Sequence, residues 1–515
     1  MTYISRPRIA PDSVEERSYQ VEMAENCLKH NTMIVLPTGL GKTVVALLVT
    51  ADVLEKEKKV LIMAPTKPLV EQHYQFFSSK LIDTKIGTMN GNMAPEKRSS
   101  IISDNDVVVC TPQVISNDLD CRRYDLKDFG LIIFDEAHRA TGNYAYVNVC
   151  GYYHKGITMG MTASPGYDMD KILEVCNNLN IERVDLHTDN DPDVSPYIHD
   201  IDVKYVTVDM PDDLLKVIDL LNKLLDPYVE CLKDLGLVNP NWPVSTKQII
   251  SIGQNLQMRL NRGENSPLVY RGLVCQSACI KIMHAIGLAE TQGMSSLRAY
   301  IIKLDEEGSR EKGPKASREI VVKKEFKELS KIVRESRVEH PKISKLMSEV
   351  SRKINNEPDG KVIVFTQYRD TCDMLIEKLS RIQNARVAKL IGQSKGGLKQ
   401  KEQVQLLTDF RGGKYNVIVS TSVGEEGLDI ASTDMVIFYE PIPSEIRTIQ
   451  RRGRTGRSND GEVMVLVAKG TRDEVFDSTS KKREMLMRER LSSINDILAK
   501  NGSASKKKQM NLDRF

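Results

Sequence analysis

Between about residues 20 and 195, short apolar runs alternate with amphipathic stretches. "NTMIVL", "KKVLIMAP", "NDVVVCTP", "GLIIFDEAH" and "KGITMGMTAS" are rich in Val, Ile and Met and carry almost no polar alternation. Unbroken apolar runs of that length predict strands buried on both faces, and the helical patterns between them predict a parallel sheet covered on both sides. From about 205 to 335 the strand signal stops. "DLLKVIDLLNKLLDPYVECLKDLGL" sets Leu214, Val217, Ile218, Leu221 and Leu225 on one helix face, and "CQSACIKIMHAIGLAETQGMSSLRAYIIKL" continues as helix. From about 340 to 500 the first pattern returns in "KVIVFTQ", "RVAKLIG", "YNVIVSTS", "DMVIFYEP" and "EVMVLVA". The predicted class is α/β: a parallel-sheet unit over 1–200, an all-α segment over 201–337, a second parallel-sheet unit over 338–500, and an unstructured tail over 501–515. No repeat of domain scale interrupts this order.

A length of 515 residues suits about three domains at roughly 100–200 residues each. With 40% hydrophobic and 28% charged residues, the composition is that of a soluble globular chain. The longest apolar runs are strand-sized, so no membrane span is expected. The opening "MTYISRPRIAPDSVEER" lacks the apolar core of a signal peptide, so an intracellular protein is expected. A net charge of +3 leaves clustering to decide the question of nucleic acid. Residues 310–337 carry ten Lys/Arg against five Asp/Glu, which by composition alone is a solvated helix face. The nine cysteines (Cys27, Cys110, Cys121, Cys150, Cys176, Cys231, Cys275, Cys279 and Cys372) include no C-x-x-C pair and are expected to be reduced and mostly buried.

Three stretches carry chemistry. "LPTGLGKT" stands between a predicted strand and a predicted helix. Gly39 and Gly41 permit a tight turn whose N–H groups face phosphate oxygens, Lys42 supplies a cation for the β and γ phosphates, and the Thr43 hydroxyl suits Mg²⁺. Leu36 stands where that pattern usually begins with glycine. "DEAH" follows the strand "LIIF", so Asp135 is placed to hold Mg²⁺ through water and Glu136 to orient and deprotonate an attacking water. "QRRGRTGR" puts four arginines in eight residues, and Arg454 and Arg457 are candidates to stabilise charge on a transferring phosphoryl group.

Taken in order, these motifs resemble those of the superfamily 2 nucleic-acid-dependent ATPases across residues 17–470. "RSYQ" resembles the adenine-reading element, through Gln20. "APTKPLV" and "CTPQ" resemble strand-contacting motifs, "TAS" the coupling motif, "VIVFTQYRDT" and "STSVGEEGLDI" the fourth and fifth motifs, and "QRRGRTGR" the sixth. Within that superfamily, "APTKPLVEQH", "FDEAHRATGNYAYV" and "TASPG" are similar to the archaeal Hef helicases and their FANCM-type eukaryotic relatives. The resemblance implies two RecA-like lobes with a helical insert, ATP and Mg²⁺ as cofactors, and forked or branched DNA as substrate with 3′ to 5′ travel. It implies a nucleotide site built from Gln20, Pro37, Thr38, Gly39, Leu40, Gly41, Lys42, Thr43, Asp135 and Glu136 on one lobe and Gly427, Asp429, Gln450, Arg454 and Arg457 on the other. Single-stranded DNA is expected at Pro65, Thr66, Lys67, Thr111 and Pro112 and at Thr366 and Thr421. In this context Lys323, Lys324 and Lys327 become a phosphate-contacting face of the insert.

Nothing matches the XPF-type nuclease signature that many Hef proteins carry, so no nuclease activity is expected of this chain, and a separate nuclease is a possible partner. "QMNLDRF" resembles the box that docks repair proteins on the sliding clamp PCNA, with Gln509, Leu512 and Phe515 at its three positions and a single aromatic where the fullest form has two. Two rival readings stay open: an RNA-directed ATPase of the Dicer or innate-sensor type, and a branched-DNA scaffold that uses ATP only as a switch.

Overall fold

The computed structural model describes residues 2–188, 191–197, 201–239, 244–392, 398, 400–421, 433–441 and 461–512, with backbone alone beyond Ala499. Its first sheet contains β1 (Thr32–Val35), β2 (Lys59–Met63), β3 (Ile86–Met89), β4 (Val107–Cys110), β5 (Phe129–Asp135), β6 (Ile157–Thr162) and β7 (Arg183–Leu186), in the order β3-β4-β2-β5-β6-β1-β7. Every pairing is parallel. Apolar clusters lie on both faces. One gathers Val45, Leu47, Leu48 and Phe77 from the helices Lys42–Leu54 and Lys67–Lys80; the other gathers Ile115, Tyr146, Val149 and Ile172. Coverage on both faces is what the unbroken apolar runs require.

The second sheet contains β8 (Ile201–Val208), β9 (Val362–Phe365), β10 (Val387–Leu390), β11 (Val417–Ser420), β12 (Met435–Phe438) and β13 (Gly461–Ala468), in the order β10-β11-β9-β12-β13-β8. Here the sequence reading needs correction. Residues 201–208, expected at the start of the helical segment, form a full edge strand that pairs with β13 from Gly461↔Ile201 to Ala468↔Val208. An edge strand is paired along one side only, and the exposed Lys204, Tyr205 and Thr207, spread over both of its faces, break the unbroken apolar run that marks the inner strands.

The insert then runs through the helices Asp212–Asp234, Thr246–Asn261, Pro267–Thr291, Met294–Ser309, Lys315–Val321 and Lys324–Glu335. The helix Pro267–Thr291 is long and apolar enough to cross a membrane by length and composition, against the sequence expectation that no such segment exists. It forms the middle of the bundle instead, burying Val269, Cys275, Cys279, Ile282 and Ile286 against Leu221, Leu224 and Leu232 of the helix Asp212–Asp234.

A second correction concerns the C-terminal part. The last helix runs over Arg472–Leu512, through the stretch where a flexible tail was expected. It leaves the second sheet and packs on the first lobe. Met487, Leu491, Ile494 and Leu498, an i, i+4, i+7, i+11 stripe, join the cluster around Val184 and Ile181. The Asn495 amide donates to the Val184 carbonyl and accepts from the Val184 N–H, both at 2.8 Å, which satisfies the open backbone of the edge strand β7. Gln509 and Leu512 sit on this helix, and Phe515 lies outside the described residues.

Where the insert, the second sheet and this helix meet, charge is buried. Lys342 and Asp473, both fully enclosed, form an ion pair. The Asp473 carboxylate also accepts the Ala468 N–H at 2.9 Å. Arg472 reaches Glu290, near the end of the helix Pro267–Thr291, at 3.2 Å.

Removing one partner of an enclosed ion pair leaves an uncompensated charge. Lys342→Met is therefore expected to cost about 3–5 kcal/mol and to lower the melting temperature. The double variant Lys342→Met/Asp473→Leu should recover most of the loss. Thermal unfolding of the two variants checks this, and equal losses would show that the pair is not coupled.

Candidate active site

In a parallel sheet, strand carboxyl ends share one edge and the following loops converge there. β1 delivers the loop Leu36–Gly41 to that edge, β2 the segment Ala64–Lys67, β4 Thr111, β5 Asp135 and β6 Thr162. All the first-lobe candidates except Gln20 come from these five loops.

The Leu36–Gly41 loop has a built conformation. Gly39 and Gly41 have φ of 93° and 87°, the left-handed region that glycine enters at little cost. A Cβ on Gly41 would lie 2.3 Å from Gln20 Nε2, so a larger residue there would have to displace that side chain as well as adopt the left-handed backbone. Gln20 Nε2 and the Tyr19 hydroxyl both donate to the Leu40 carbonyl, at 2.9 and 2.8 Å, and fix the loop from the helix Ser18–Lys29. Gln20 is buried, and its Oε1 has no hydrogen-bond partner among the described residues. A buried acceptor of this kind fits the exocyclic amine of an adenine. The Lys42 ammonium donates to the Leu36 carbonyl at 2.8 Å, inside the loop, and Thr43 follows in the first turn of the helix Lys42–Leu54.

Asp135 ends β5 and is buried. Burial alone would raise its pKa. The His73 side chain, the Lys42 charge and the Glu136 N–H outweigh burial and hold it below the usual carboxylate range. The His73 contact is 2.8 Å, Nε2 to Oδ2. His73 lies in the helix Lys67–Lys80, which begins at the predicted strand-contacting residues Thr66 and Lys67. One rigid helix thus joins a nucleic-acid candidate to a magnesium candidate, a link that sequence spacing did not reveal. Tyr146 holds the same strand ends together, its hydroxyl 2.6 Å from the Asp135 carbonyl and 3.1 Å from that of Met63.

Glu136 adopts φ 50° and ψ 50°, a conformation that costs a non-glycine residue energy and recurs at functional sites. Its Oε2 lies 3.4 Å from His138 Nδ1. Burial and the neighbouring Arg139 lower the His138 pKa to about 4, so the imidazole is neutral near pH 7 and the contact is not an ion pair. His138 Nδ1 is 3.1 Å from the Thr162 hydroxyl, which donates to the Ser164 carbonyl at 2.9 Å. The Ser164 hydroxyl in turn meets Met487 Sδ at 2.9 Å. A continuous set of contacts runs from the carboxylates through the "TAS" motif to the C-terminal helix.

The strand-contacting candidates separate. Pro65 and Thr66 are half-buried and Lys67 is exposed at the opening of its helix; Thr111 is half-buried before the buried Pro112. In the second lobe Thr366 is fully buried, and its hydroxyl donates to Glu440 Oε1 at 3.0 Å. It therefore supports the strand end rather than presenting a hydroxyl to a ligand. Glu440, also enclosed, accepts the Gln367 N–H at 3.1 Å. Thr421 is buried as well. Gly427, Asp429, Gln450, Arg454 and Arg457 lie outside the described residues. On the insert, Lys324, Lys327 and Lys331 are exposed along the helix Lys324–Glu335, whereas Lys323 lies 4.5 Å over the Tyr228 ring.

Sequence reasoning missed His73, Tyr146 and Glu440. The "VEQH" and "YAYV" stretches that contain the first two were visible, but only the fold shows which strand each reaches.

Three family profiles match in order: "Type III restriction enzyme, res subunit" over residues 13–166, an ATP-dependent RNA helicase helical bundle over 214–340, and "Helicase conserved C-terminal domain" over 341–459. The crystal structure of the Pyrococcus furiosus Hef helicase domain is 41% identical, with a TM-score of 0.70, and the match covers 90% of this chain and 98% of that one. A protein of Methanocaldococcus jannaschii named as an ATP-dependent RNA helicase is 39% identical over 94% of this chain. The ATP-dependent DNA helicase mph1 of Neurospora crassa is 30% identical over 90% of it. The chain spans 62% of the length of the first of these two relatives and 42% of the second.

Two outcomes follow from the geometry. His73→Ala should lower ATP turnover by about 10-fold or more, the usual effect of removing an outer partner of a ligating carboxylate, with partial rescue by His73→Gln. Steady-state ATPase assays check it, and an unchanged rate would show that His73 does not position Asp135. The second concerns Glu440. Burial and the nearby Asp473 raise its pKa to about 7, against the pull of Lys342 and Thr366. The folded state thus holds a proton that the unfolded state releases near pH 4.3, so this group subtracts stability as pH rises from about 4.5 to 7. Glu440→Gln should melt progressively closer to, or above, the wild type as pH is raised across that window, as read by thermal unfolding. A pH-independent difference would rule the shift out.

Proposed function

We propose, from the premise that the chain belongs to the Hef-type family of superfamily 2 helicases, that it is a DNA-directed motor acting on forked or branched DNA with 3′ to 5′ travel. The observation that supports the motor most directly is the convergence of Lys42, Asp135 and Glu136 on one sheet edge, with His73 linking Asp135 to the Thr66–Lys67 helix.

The chemistry assigned to these residues is hydrolysis of the β–γ bond of ATP. Gln20 accepts from the adenine and Tyr19 holds the loop closed behind it. The loop amides and Lys42 neutralise the phosphates, and Glu136 takes the proton of the attacking water. Asp135 and Thr43 are the residues that would hold Mg²⁺, which when bound screens the charge that develops on the leaving phosphate. Glu136→Gln keeps the shape while removing the base.

The DNA assignment draws on the likeness to the Hef helicase domain and to the mph1 DNA helicases. The branched-DNA assignment draws on the insert. Lys324, Lys327 and Lys331 are spaced three and four apart, so they share one helix face and can follow a phosphate backbone. Glu325 and Glu328 stand between them, and Lys216 pairs Glu328 at 3.3 Å. That pairing removes part of the opposing charge.

A second reading has its own support: the Methanocaldococcus jannaschii relative and the helical-bundle family are both named for RNA helicases. ATPase stimulation by forked DNA, single-stranded DNA and double-stranded RNA separates the two. The forked DNA should stimulate most, and stronger stimulation by double-stranded RNA would overturn the DNA reading. Reversal of Lys324, Lys327 and Lys331 to Glu should weaken fork binding more than single-strand binding and flatten its salt dependence, because fewer counterions are released. Unchanged fork affinity in a filter-binding series would return that face to solvent.

A further inference from the structure

Cys231 stands near the end of the helix Asp212–Asp234, and Cys275 lies in the helix Pro267–Thr291 that packs against it. Their sulfurs are 2.7 Å apart. That is much closer than two unbonded sulfurs ordinarily rest and within a small side-chain adjustment of the ~2.05 Å of a disulfide. The two sites differ in exposure. Cys275 is fully buried, whereas Cys231 is half-buried and can be reached from outside. Arg271, one turn before Cys275, lies beside the Cys231 sulfur while its guanidinium bonds Glu319 at 2.8 and 3.0 Å.

We propose that Cys231 and Cys275 form a reversible dithiol–disulfide site that staples two helices of the insert. The co-reactant is a low-molecular-weight disulfide. The Cys231 thiolate attacks one of its sulfurs, the small S–S bond breaks, and one small thiolate leaves with the electron pair. Cys275 then gives up its proton and attacks the Cys231 sulfur. The mixed disulfide breaks, the second small thiolate leaves, and the protein holds a Cys231–Cys275 bond. Two protein thiols are oxidised and one small disulfide is reduced to two thiols.

The bond would enclose the helix Thr246–Asn261, which carries the exposed apolar residues Ile250 and Met258. Closing this segment restricts the unfolded chain, so the oxidised form should be the more stable one. Cys279 is fully buried one turn beyond Cys275 and is the internal control, a thiol of the same helix that the geometry does not pair.

The test is equilibration of the full chain in glutathione buffers of rising oxidised fraction, followed by intact mass, peptide mapping and thermal unfolding. The expected result is a mass lower by two hydrogens, a linked Cys231–Cys275 peptide, and a melting temperature several degrees higher that falls back on reduction. Cys231→Ser, at the half-buried position where folding is least disturbed, should lose the linked peptide and the shift while keeping the wild-type melting temperature under reducing conditions. A stable glutathione adduct on Cys231 without the link, a link through Cys279, or an equal shift in Cys231→Ser would each overturn the proposal.

Discussion

All strands of the first sheet run the same way, and the rest of the molecule follows from that. Parallel pairing aligns the carboxyl ends of β1, β2, β4, β5 and β6, so segments as far apart in sequence as Val35 and Thr162 end on one edge. The backbone there has left the ladder and offers N–H groups and helix N-termini, which favour negative charge. A triphosphate, a divalent cation and a phosphodiester backbone can all be met at such an edge. The left-handed glycines at 39 and 41 and the strained Glu136 occur there and not inside the sheet.

What converts the edge into a device is a small number of buried polar contacts. His73 joins the Thr66–Lys67 helix to Asp135, and Tyr146 joins β2 to β5. His138, Thr162, Ser164 and Met487 carry the line to a helix that begins beside the second sheet. In a low-dielectric interior an unmade hydrogen bond is costly, so these contacts hold the strand ends and helices in one arrangement. The same holds at the other end, where Lys342 and Asp473 lie next to the supports of Thr366 and Glu290. The C-terminal helix is thus held to both lobes, by enclosed charge at its start and by an apolar stripe and Asn495 further along.

The insert obeys a different rule. Its core is aliphatic, centred on a helix apolar enough to suit a lipid environment, yet buried among its neighbours. Its surface alternates lysine and glutamate, so its net attraction for phosphate depends on which glutamates are already paired.

The sequence by itself determined the fold class, because inner strands of a parallel sheet must be apolar on both faces and the two blocks of such runs are plain. It singled out the turn at Gly39 and Gly41 and the Asp135–Glu136 pair as candidates as well, since phosphate chemistry needs those residue types at short spacing and a short spacing survives in one dimension. It did not determine that 201–208 complete the second sheet, because Lys204, Tyr205 and Thr207 interrupt the apolar run at this edge. Nor did it determine that Thr366 turns inward to Glu440, or that His73 supports Asp135, because those partners lie more than 60 residues apart and meet only when separate elements pack. The course of the final helix was decided in three dimensions too: its stripe from Met487 to Leu498 is legible as amphipathic, but which lobe receives it depends on the exposed edge at Val184.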